Sequence, residues 1–227
     1  MREVVVLSIG GSLINEGKPS IKMAQYISSI IKSTEYKMGI VVGGGKEARE
    51  KVKRVLAGGK NQFYADLEAI KITKKNAEVL RKALGKEAGE KIFDDFIEAA
   101  KNIKRQKYVL MGGTIPGITT DTDAALLAEA LGAKRLINVS KSAVYSKDPK
   151  EKDAIKYDYL TFEELIALAQ KSDERKAGTN FIFDILACKI VARSKIQTHF
   201  VDGTNRQDFL NAIEGKNHNG TVVGLKR

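Results

Sequence analysis

The sequence predicts an α/β fold: a mainly parallel central sheet with helices on both faces. Three observations predict it. Runs of β-branched and aliphatic residues without polar alternation, such as Val4 to Ile9 and Gly39 to Val42, read as strands buried on both faces. Segments with apolar residues at helical spacing follow most of these runs, so strand and helix alternate along the chain. Glycine clusters stand directly after three of the strands, at Gly10-Gly11, Gly43-Gly44-Gly45 and Gly112-Gly113. Ligands of open parallel sheets sit beyond the carboxyl ends of the strands, so the three clusters are expected to meet on one edge.

Taken in order, Val4 to Ile9 is the first strand, ended by Gly10, Gly11 and Ser12. Pro19-Ser20 opens a helix with Met23, Ala24, Ile27, Ile30 and Ile31 on one face. Gly39 to Val42 is the second strand. The triple-glycine turn leads into a helix from Lys46 to Leu56, broken by Gly58-Gly59. A longer helix runs from Phe63 to Leu84, with Leu67, Ile70, Ile72, Ala77, Leu80 and Leu84 as candidate core. Glu90 to Phe93 reads as a short strand, Phe96 to Ile103 as a short helix and Tyr108 to Met111 as a buried strand. Asp121 or Thr122 is the expected cap of a helix from Asp123 to Leu131, which Gly132 ends. Arg135 to Val139 is a strand, followed by the polar turn Ser140 to Pro149. Thr161 with Glu164 is a capping box opening a helix to Ala169. Gln170 to Thr179 is polar and reads as a mobile segment. Asp184 caps a helix to Arg193, Gln197 to Val201 is a strand, Asn205 with Asp208 caps a helix to Ile213, and Thr221 to Val223 closes the sheet. With no internal repeat or long linker, 227 residues read as a single domain, residues 1–227.

The stretch VVGGGKEAR, Val41 to Arg49, places a strand, a glycine turn and a helix start in succession. Glycines let the backbone approach an anion, and a helix start offers free N–H groups and a partial positive charge. Lys46 and Arg49 add full charges. Alone, such a run is as readily a tight turn; its two partner clusters favour a phosphate cradle. The loop Gly112 to Thr120, GGTIPGITT, combines glycines, hydroxyls and a stiff proline, as suits a loop shaped round a polar ligand.

Composition narrows the classes. No apolar stretch approaches the ~18 residues of a membrane span, and no signal-peptide pattern opens the chain. The single Cys188 excludes an internal disulfide, so a cytoplasmic location is expected. Two histidines and one cysteine far apart argue against a structural zinc site, and no metal site is expected. The net charge of +11 suits an anionic ligand. The basic residues are spread along the chain, with no aromatic-rich strand or helix-turn-helix pattern, which argues against nucleic acid.

Neither the dinucleotide fingerprint nor the Walker loop is present. The order of glycine loops instead resembles the amino-acid kinase family, nearly end to end. VVGGGKEAR, the helix carrying Asp66, MGGTIPGITTD followed by AALLAE, VYSKDP and the closing NGTVV resemble its archaeal uridylate kinase type, whose members make UDP from UMP and ATP. The resemblance implies a three-layer α/β/α sandwich, with an acceptor-binding lobe over about residues 1–132 and an ATP-binding lobe over about 133–227. It implies that Ser8, Ile9, Gly10, Gly11 and Ser12 sit over the ATP phosphates, that Gly44 contacts UMP and Gly45 ATP, and that Arg49 reaches the phosphates. Gly10, Gly11, Ser12 and Arg49 would thus serve the transfer itself. Asp66 would accept hydrogen bonds from the UMP ribose. Thr114, Ile115, Pro116, Gly117, Ile118, Thr119 and Thr120 would wrap the uracil and the UMP phosphate, while Ser140, Tyr145 and Asp148 would hold the nucleoside end of ATP. Mg²⁺ would arrive bound to ATP, and the assembly would be a homohexamer packed through helices of the N-terminal half.

Two departures stand out. Many members carry a lysine on the first strand where this chain has Ser8, which leaves Lys46, Arg49 and Lys141 as candidates to clamp the moving phosphoryl. The ATP turn, usually Thr-Asn-x-Asp-Gly, reads Val139, Ser140, Lys141, Ser142 and Ala143. Three other readings stay open: a relative acting on another small acid or phosphate (acetylglutamate, carbamate, isopentenyl phosphate), a non-catalytic nucleotide- or oxyanion-binding protein of the same fold, and nucleic-acid binding, motivated only by charge.

Overall fold

The apolar runs do form strands buried on both faces. A computed structural model, which describes residues 3–173 and 183–226, joins eight strands in one sheet. They are β1 (Val4–Ile9), β2 (Lys37–Val42), β3 (Ile92–Phe93), β4 (Tyr108–Met111), β5 (Arg135–Ser140), β6 (Tyr159–Thr161), β7 (Gln197–Asp202) and β8 (Thr221–Gly224). Their spatial order is β3-β4-β2-β1-β5-β7-β8-β6. All pairings are parallel except that of β7 with β8. β2 and β4 extend the sheet to one side of β1, β5 and β7 to the other, which opens a crevice at the carboxyl end of β1.

The helices are α1 (Gly11–Ile14), α2 (Ile21–Lys32), α3 (Gly45–Ala57), α4 (Gln62–Leu84), α5 (Phe96–Asn102), α6 (Thr120–Leu131), α7 (Phe162–Asp173), α8 (Ile185–Arg193) and α9 (Arg206–Glu214). Successive strand residues point to opposite faces and so feed two cores. Val5, Leu7, Ile9, Ile40, Val42 and Ile137 pack with Ile27 and Ile31 of α2, Leu80 of α4 and Phe209 of α9. Val6, Val41, Val109, Met111, Leu136 and Phe200 pack with Ala99 of α5, Leu127 of α6, Leu165 of α7 and Ile190 of α8. The result is the expected three-layer α/β/α sandwich. α3 lies outermost, against α4, with only Gly45 and Ala48 buried.

Several boundaries differ from the sequence reading. The cap of α6 is Thr119, whose hydroxyl accepts from the amides of Asp121 and Thr122; neither Asp121 nor Thr122 is the cap, and the helix opens at Thr120 instead of Asp123. Leu67, Ile70 and Ile72 are half-buried and belong to neither core, because this end of α4 faces α3 and the glycine loops. The one-turn helix α1 and the three-residue edge strand β6 were not expected; both are too short for periodicity to register. α7 continues past Ala169 to Asp173, so the first part of the polar stretch Gln170 to Thr179 is helical and the remainder lies outside the described residues.

A histidine pair joins β7 to the turn before β8. The Gly220 amide donates to His218 Nδ1 at 3.0 Å, so neutral His218 carries its proton on Nε2 and donates to His199 Nδ1 at 2.8 Å. His199 Nε2 then donates to the Gln197 carboxamide oxygen at 3.1 Å. This chain of donors requires both rings to be neutral. Burial, then His218 and Arg135, push His199 down to about 3; burial also lowers His218, against Asp208, which raises it, and with Lys156, which lowers it. A depressed folded-state pKa gives stability that is present above the unfolded value near 6.5 and is lost as pH falls below it, at about 1.4 kcal/mol per pH unit for His199 alone. Unfolding free energies at pH 7 and pH 5 should therefore differ more for the wild-type chain than for His199→Gln, by about 2 kcal/mol. Parallel pH dependences would show that the pair does not titrate as described.

Candidate active site

The carboxyl ends of β1 and β2 carry two glycine turns that touch backbone to backbone. A Cβ on Gly11 would stand 2.0 Å from the Gly45 nitrogen and 2.7 Å from Gly43 C and Gly44 N. A Cβ on Gly45, whose φ is +69°, would stand 2.3 Å from the Asn15 oxygen and 2.4 Å from the Gly11 oxygen. The Gly10 amide bonds Val139 O at 2.8 Å and the Gly43 amide bonds Ile9 O at 2.9 Å, so β1 anchors both its neighbours at this edge. Glycine is thus required here by loop-to-loop contact as well as by any ligand.

Two buried asparagines, which the sequence reading passed over, hold the turns. Asn76, fully buried on α4, donates to the Gly43 oxygen at 2.8 Å and the Gly44 oxygen at 3.2 Å. Asn15, also fully buried, donates to Asn76 at 2.9 Å and to Glu47 at 2.8 Å, and its own carbonyl takes the Lys46 amide at 3.0 Å. With the carbonyls engaged inward and the Lys46 amide taken by Asn15, the Gly45 and Glu47 amides at the start of α3 have no carbonyl one turn back to serve. Thr73 holds the third cluster through the opposite group: its hydroxyl accepts the Gly113 amide at 2.7 Å. No motif marks these residues, though polar side chains at spacings of three along a helix with an apolar face are the available signal.

The threonine loop is tied to three aspartates. Asp66 accepts the Gly117 amide at 3.0 Å and the Gln62 side chain at 2.8 Å, which brings α4 to the loop. Buried Asp123 accepts the Thr114 hydroxyl at 2.6 Å and its amide at 3.3 Å. Asp184, the cap of α8, accepts the hydroxyls of Thr119 and Thr122. Burial raises Asp123 to about 6, against the bonds from Thr114. Ile115 and Gly117 stay exposed, with Pro116, Ile118 and Thr120 half-buried.

The remaining expected residues fall in three places. Arg49 is exposed one turn into α3, and no carboxylate among the described residues pairs with it. Lys46 faces Glu50 at 3.8 Å and Lys141 is held by Glu16 at 2.5 Å, so of the three clamp candidates Arg49 is the one without an acidic partner. Ser140, the last residue of β5, lies beside Gly10, accepts the Ser142 amide and donates to the Ser142 oxygen. Tyr145 bridges to Lys156, and Asp148 caps an exposed turn through the Lys150 amide. Ser8, by contrast, is buried below the cradle, and its hydroxyl donates to Asp121 at 2.7 Å. Among the described residues no three histidine, cysteine or acidic side chains are placed to hold a metal ion, and no helix is long and apolar enough to cross a membrane.

The match to known proteins follows the same outline. The model of the amino acid kinase family matches residues 3–202. The chain belongs to the amino acid kinase family. It is 41% identical over 222 residues to the uridylate kinase of Archaeoglobus fulgidus, covering 96% of this chain and 99% of that one. It is 39% identical to the uridylate kinase of Methanocaldococcus jannaschii over 225 residues, covering 96% and 98%. The crystal structure of the Archaeoglobus fulgidus enzyme superposes with a TM-score of 0.86, over 97% of this chain and 99% of that one at 38% identity. UMP kinase from Bacillus anthracis superposes with a TM-score of 0.81 at 16% identity over 99% and 97%, which speaks to the fold alone. The superposition on the Archaeoglobus fulgidus enzyme extends over nearly the whole three-layer architecture.

Gly11→Ala should force the β1 and β2 turns apart, because the atoms it meets are backbone and cannot turn aside. Overpacking of this kind costs about 1–3 kcal/mol, a fall of roughly 2–12 °C in Tm for a chain of this size. Gly58→Ala, whose Cβ would meet nothing closer than 3.4 Å, is the control and should leave Tm within about 2 °C. Equal melting of the two variants would refute the contact.

Proposed function

We propose that this chain is a uridylate kinase, which transfers the γ-phosphoryl group of MgATP to UMP and releases UDP and ADP, a step of pyrimidine nucleotide biosynthesis. The observation that carries this reading is the near full-length similarity to uridylate kinases together with a threonine loop anchored on Asp66. ATP lies over Gly10 to Ser12 and Gly45, with its nucleoside end toward Ser140, Tyr145 and Asp148 in the lobe of about residues 133–227. UMP lies between Gly44, Asp66 and Thr114 to Thr120 in the lobe of about residues 1–132. The protein works in the cytoplasm as a homohexamer.

The chemistry asks little of side chains. A UMP phosphate oxygen attacks the γ-phosphorus as the bond to the β-phosphate oxygen breaks. The attacking oxygen is already anionic at neutral pH, so no base is needed. Catalysis reduces to aligning two anions and neutralising charge on the moving group. Turns held in place by Asn15, Asn76 and Thr73 preorganise the amides that remain for that task, and Arg49, without an acidic partner among the described residues, serves as the mobile charge. Mg²⁺ enters as part of the nucleotide substrate, held chiefly by phosphate oxygens.

Purified protein with MgATP should form UDP from UMP faster than it phosphorylates acetylglutamate, carbamate or isopentenyl phosphate; a different preferred acceptor would reassign the substrate. Asp66→Asn tests the acceptor side. Losing a hydrogen bond to a charged group costs about 1.5–3 kcal/mol, so KM for UMP should rise about ten- to hundredfold while KM for ATP stays put. Unchanged UMP kinetics would leave Asp66 as a loop anchor only.

A further inference from the structure

The closing motif NGTVV, Asn219 to Val223, has no part in the transfer described above, yet its threonine is fully buried beneath a segment that has one. Tyr145 and Asp148 stand on a hairpin over residues 144–157, whose tip, from Asp148 to Asp153, is exposed. Tyr145 and Lys156 face each other across it as an antiparallel pair. On one side of that pair the Ser146 amide donates to Ile155 O at 2.9 Å, and on the other the Tyr157 amide donates to Val144 O at 3.0 Å. An antiparallel ladder would return the second bond, from the Val144 amide to Tyr157 O. Here the Thr221 hydroxyl stands between the two. It accepts the Val144 amide at 2.9 Å and donates to Tyr157 O at 2.5 Å. A side chain of β8 thus closes the base of the hairpin. A second tie runs to the same segment, from Lys156 Nζ to Asn219 O at 2.8 Å. Valine would fill the space of Thr221 on β8 equally well, but it would leave the enclosed Val144 amide without an acceptor.

We propose that Thr221 is a positioning residue for the nucleoside end of ATP, acting through the hairpin that carries Tyr145 and Asp148. The inference rests on the placement of ATP in the uridylate kinase reading. Thr221 is a register partner of Phe200 on β7, itself fully buried, so its hydroxyl is fixed to the central sheet. Tyr145 follows Val144 directly, and any shift of the Val144 amide reaches it through one peptide unit. The displacement grows toward Asp148, because the hairpin is held at its base and exposed at its tip. A loosened hairpin must be ordered again when ATP binds, and that ordering is taken from the affinity. Gly44, Asp66 and Thr114 to Thr120, the residues proposed for UMP, lie on other loops, and both bonds of the Thr221 hydroxyl go to the hairpin. The effect is therefore confined to ATP.

The test compares Thr221→Val, which removes both bonds, with Thr221→Ser, which keeps the hydroxyl. In Thr221→Val the KM for ATP should rise about tenfold, the factor that matches one ordinary net hydrogen bond. The KM for UMP and kcat at saturating ATP should stay within about twofold of wild type. Calorimetry with a non-hydrolysable MgATP analogue should show a Kd weakened by about the same factor of ten. Thr221→Ser should return all of these values to those of wild type. A lower Tm in Thr221→Val with KM for ATP and Kd unchanged would overturn the proposal. So would a rise in both KM values together with a fall in kcat, which marks a general loss of structure. If Thr221→Val does not fold, Thr221→Ala, which sets no methyl group against the Val144 amide, is measured in its place. Failure of both to fold would make Thr221 a folding residue and overturn the proposal as well. A wild-type protein that binds the MgATP analogue but forms no UDP would remove the uridylate kinase reading, while the Kd comparison would still decide on Thr221.

Discussion

The contact of the β1 turn with the β2 turn is the constraint on which the rest of the site depends. Main chain meets main chain at Gly11 and Gly43 to Gly45, at distances no Cβ would permit. This closeness fixes the register of three parallel strand ends, because Gly10 continues the ladder to β5 and Gly43 that to β1. It also sets where α3 begins, and hence where its free amides and Arg49 point. A site made of amides needs this rigidity more than one made of side chains, since an amide cannot swing to meet its ligand.

Such crowding has a polar cost that the fold meets from α4. Carbonyls turned inward at Gly43 and Gly44 would be left unpaired without Asn76, and Asn76 is itself held by Asn15. One helix therefore serves the glycine turn through Asn76, the Gly113 amide through Thr73 and the threonine loop through Asp66. That explains why part of its length, around Leu67 to Ile72, contributes little to either core. α4 spans the site as well as covering the sheet, and its side chains divide between these tasks.

The fold was legible because its strands are written in an unambiguous code. Val4 to Ile9 and Tyr108 to Met111 are apolar on both faces, and only a covered parallel sheet buries both. Glycine clusters after strands were equally readable, though not their reason: spacing alone does not separate an anion cradle from two turns pressed together, and here the glycines meet the second demand whatever they do for the first. The edge was less legible. β6 has three residues, and its pairing with β8 arises from tertiary context. At the start of α6, Thr119, Asp121 and Thr122 are all competent caps, and only the hydroxyl geometry selects Thr119. Asn15 and Asn76 could not be singled out, because a buried asparagine is defined by the groups it satisfies, which lie elsewhere in the chain.

The charge pattern of the site is unusual in where it places its cations. The sheet-facing wall holds Asp121, Asp123 and Asp184 among hydroxyls, while Lys46, Arg49 and Lys141 stand at the exposed rim. Anions would thus be held by amides at the centre and met by mobile charges from outside. The central claim, that the paired glycine turns form the phosphate cradle, is most directly tested by amide NMR chemical shifts on adding a non-hydrolysable MgATP analogue. The account predicts the largest changes at Gly10 to Ser12 and Gly43 to Lys46, with Gly132 and Gly215 unmoved. Changes centred away from those two turns, with the turns silent, would contradict it.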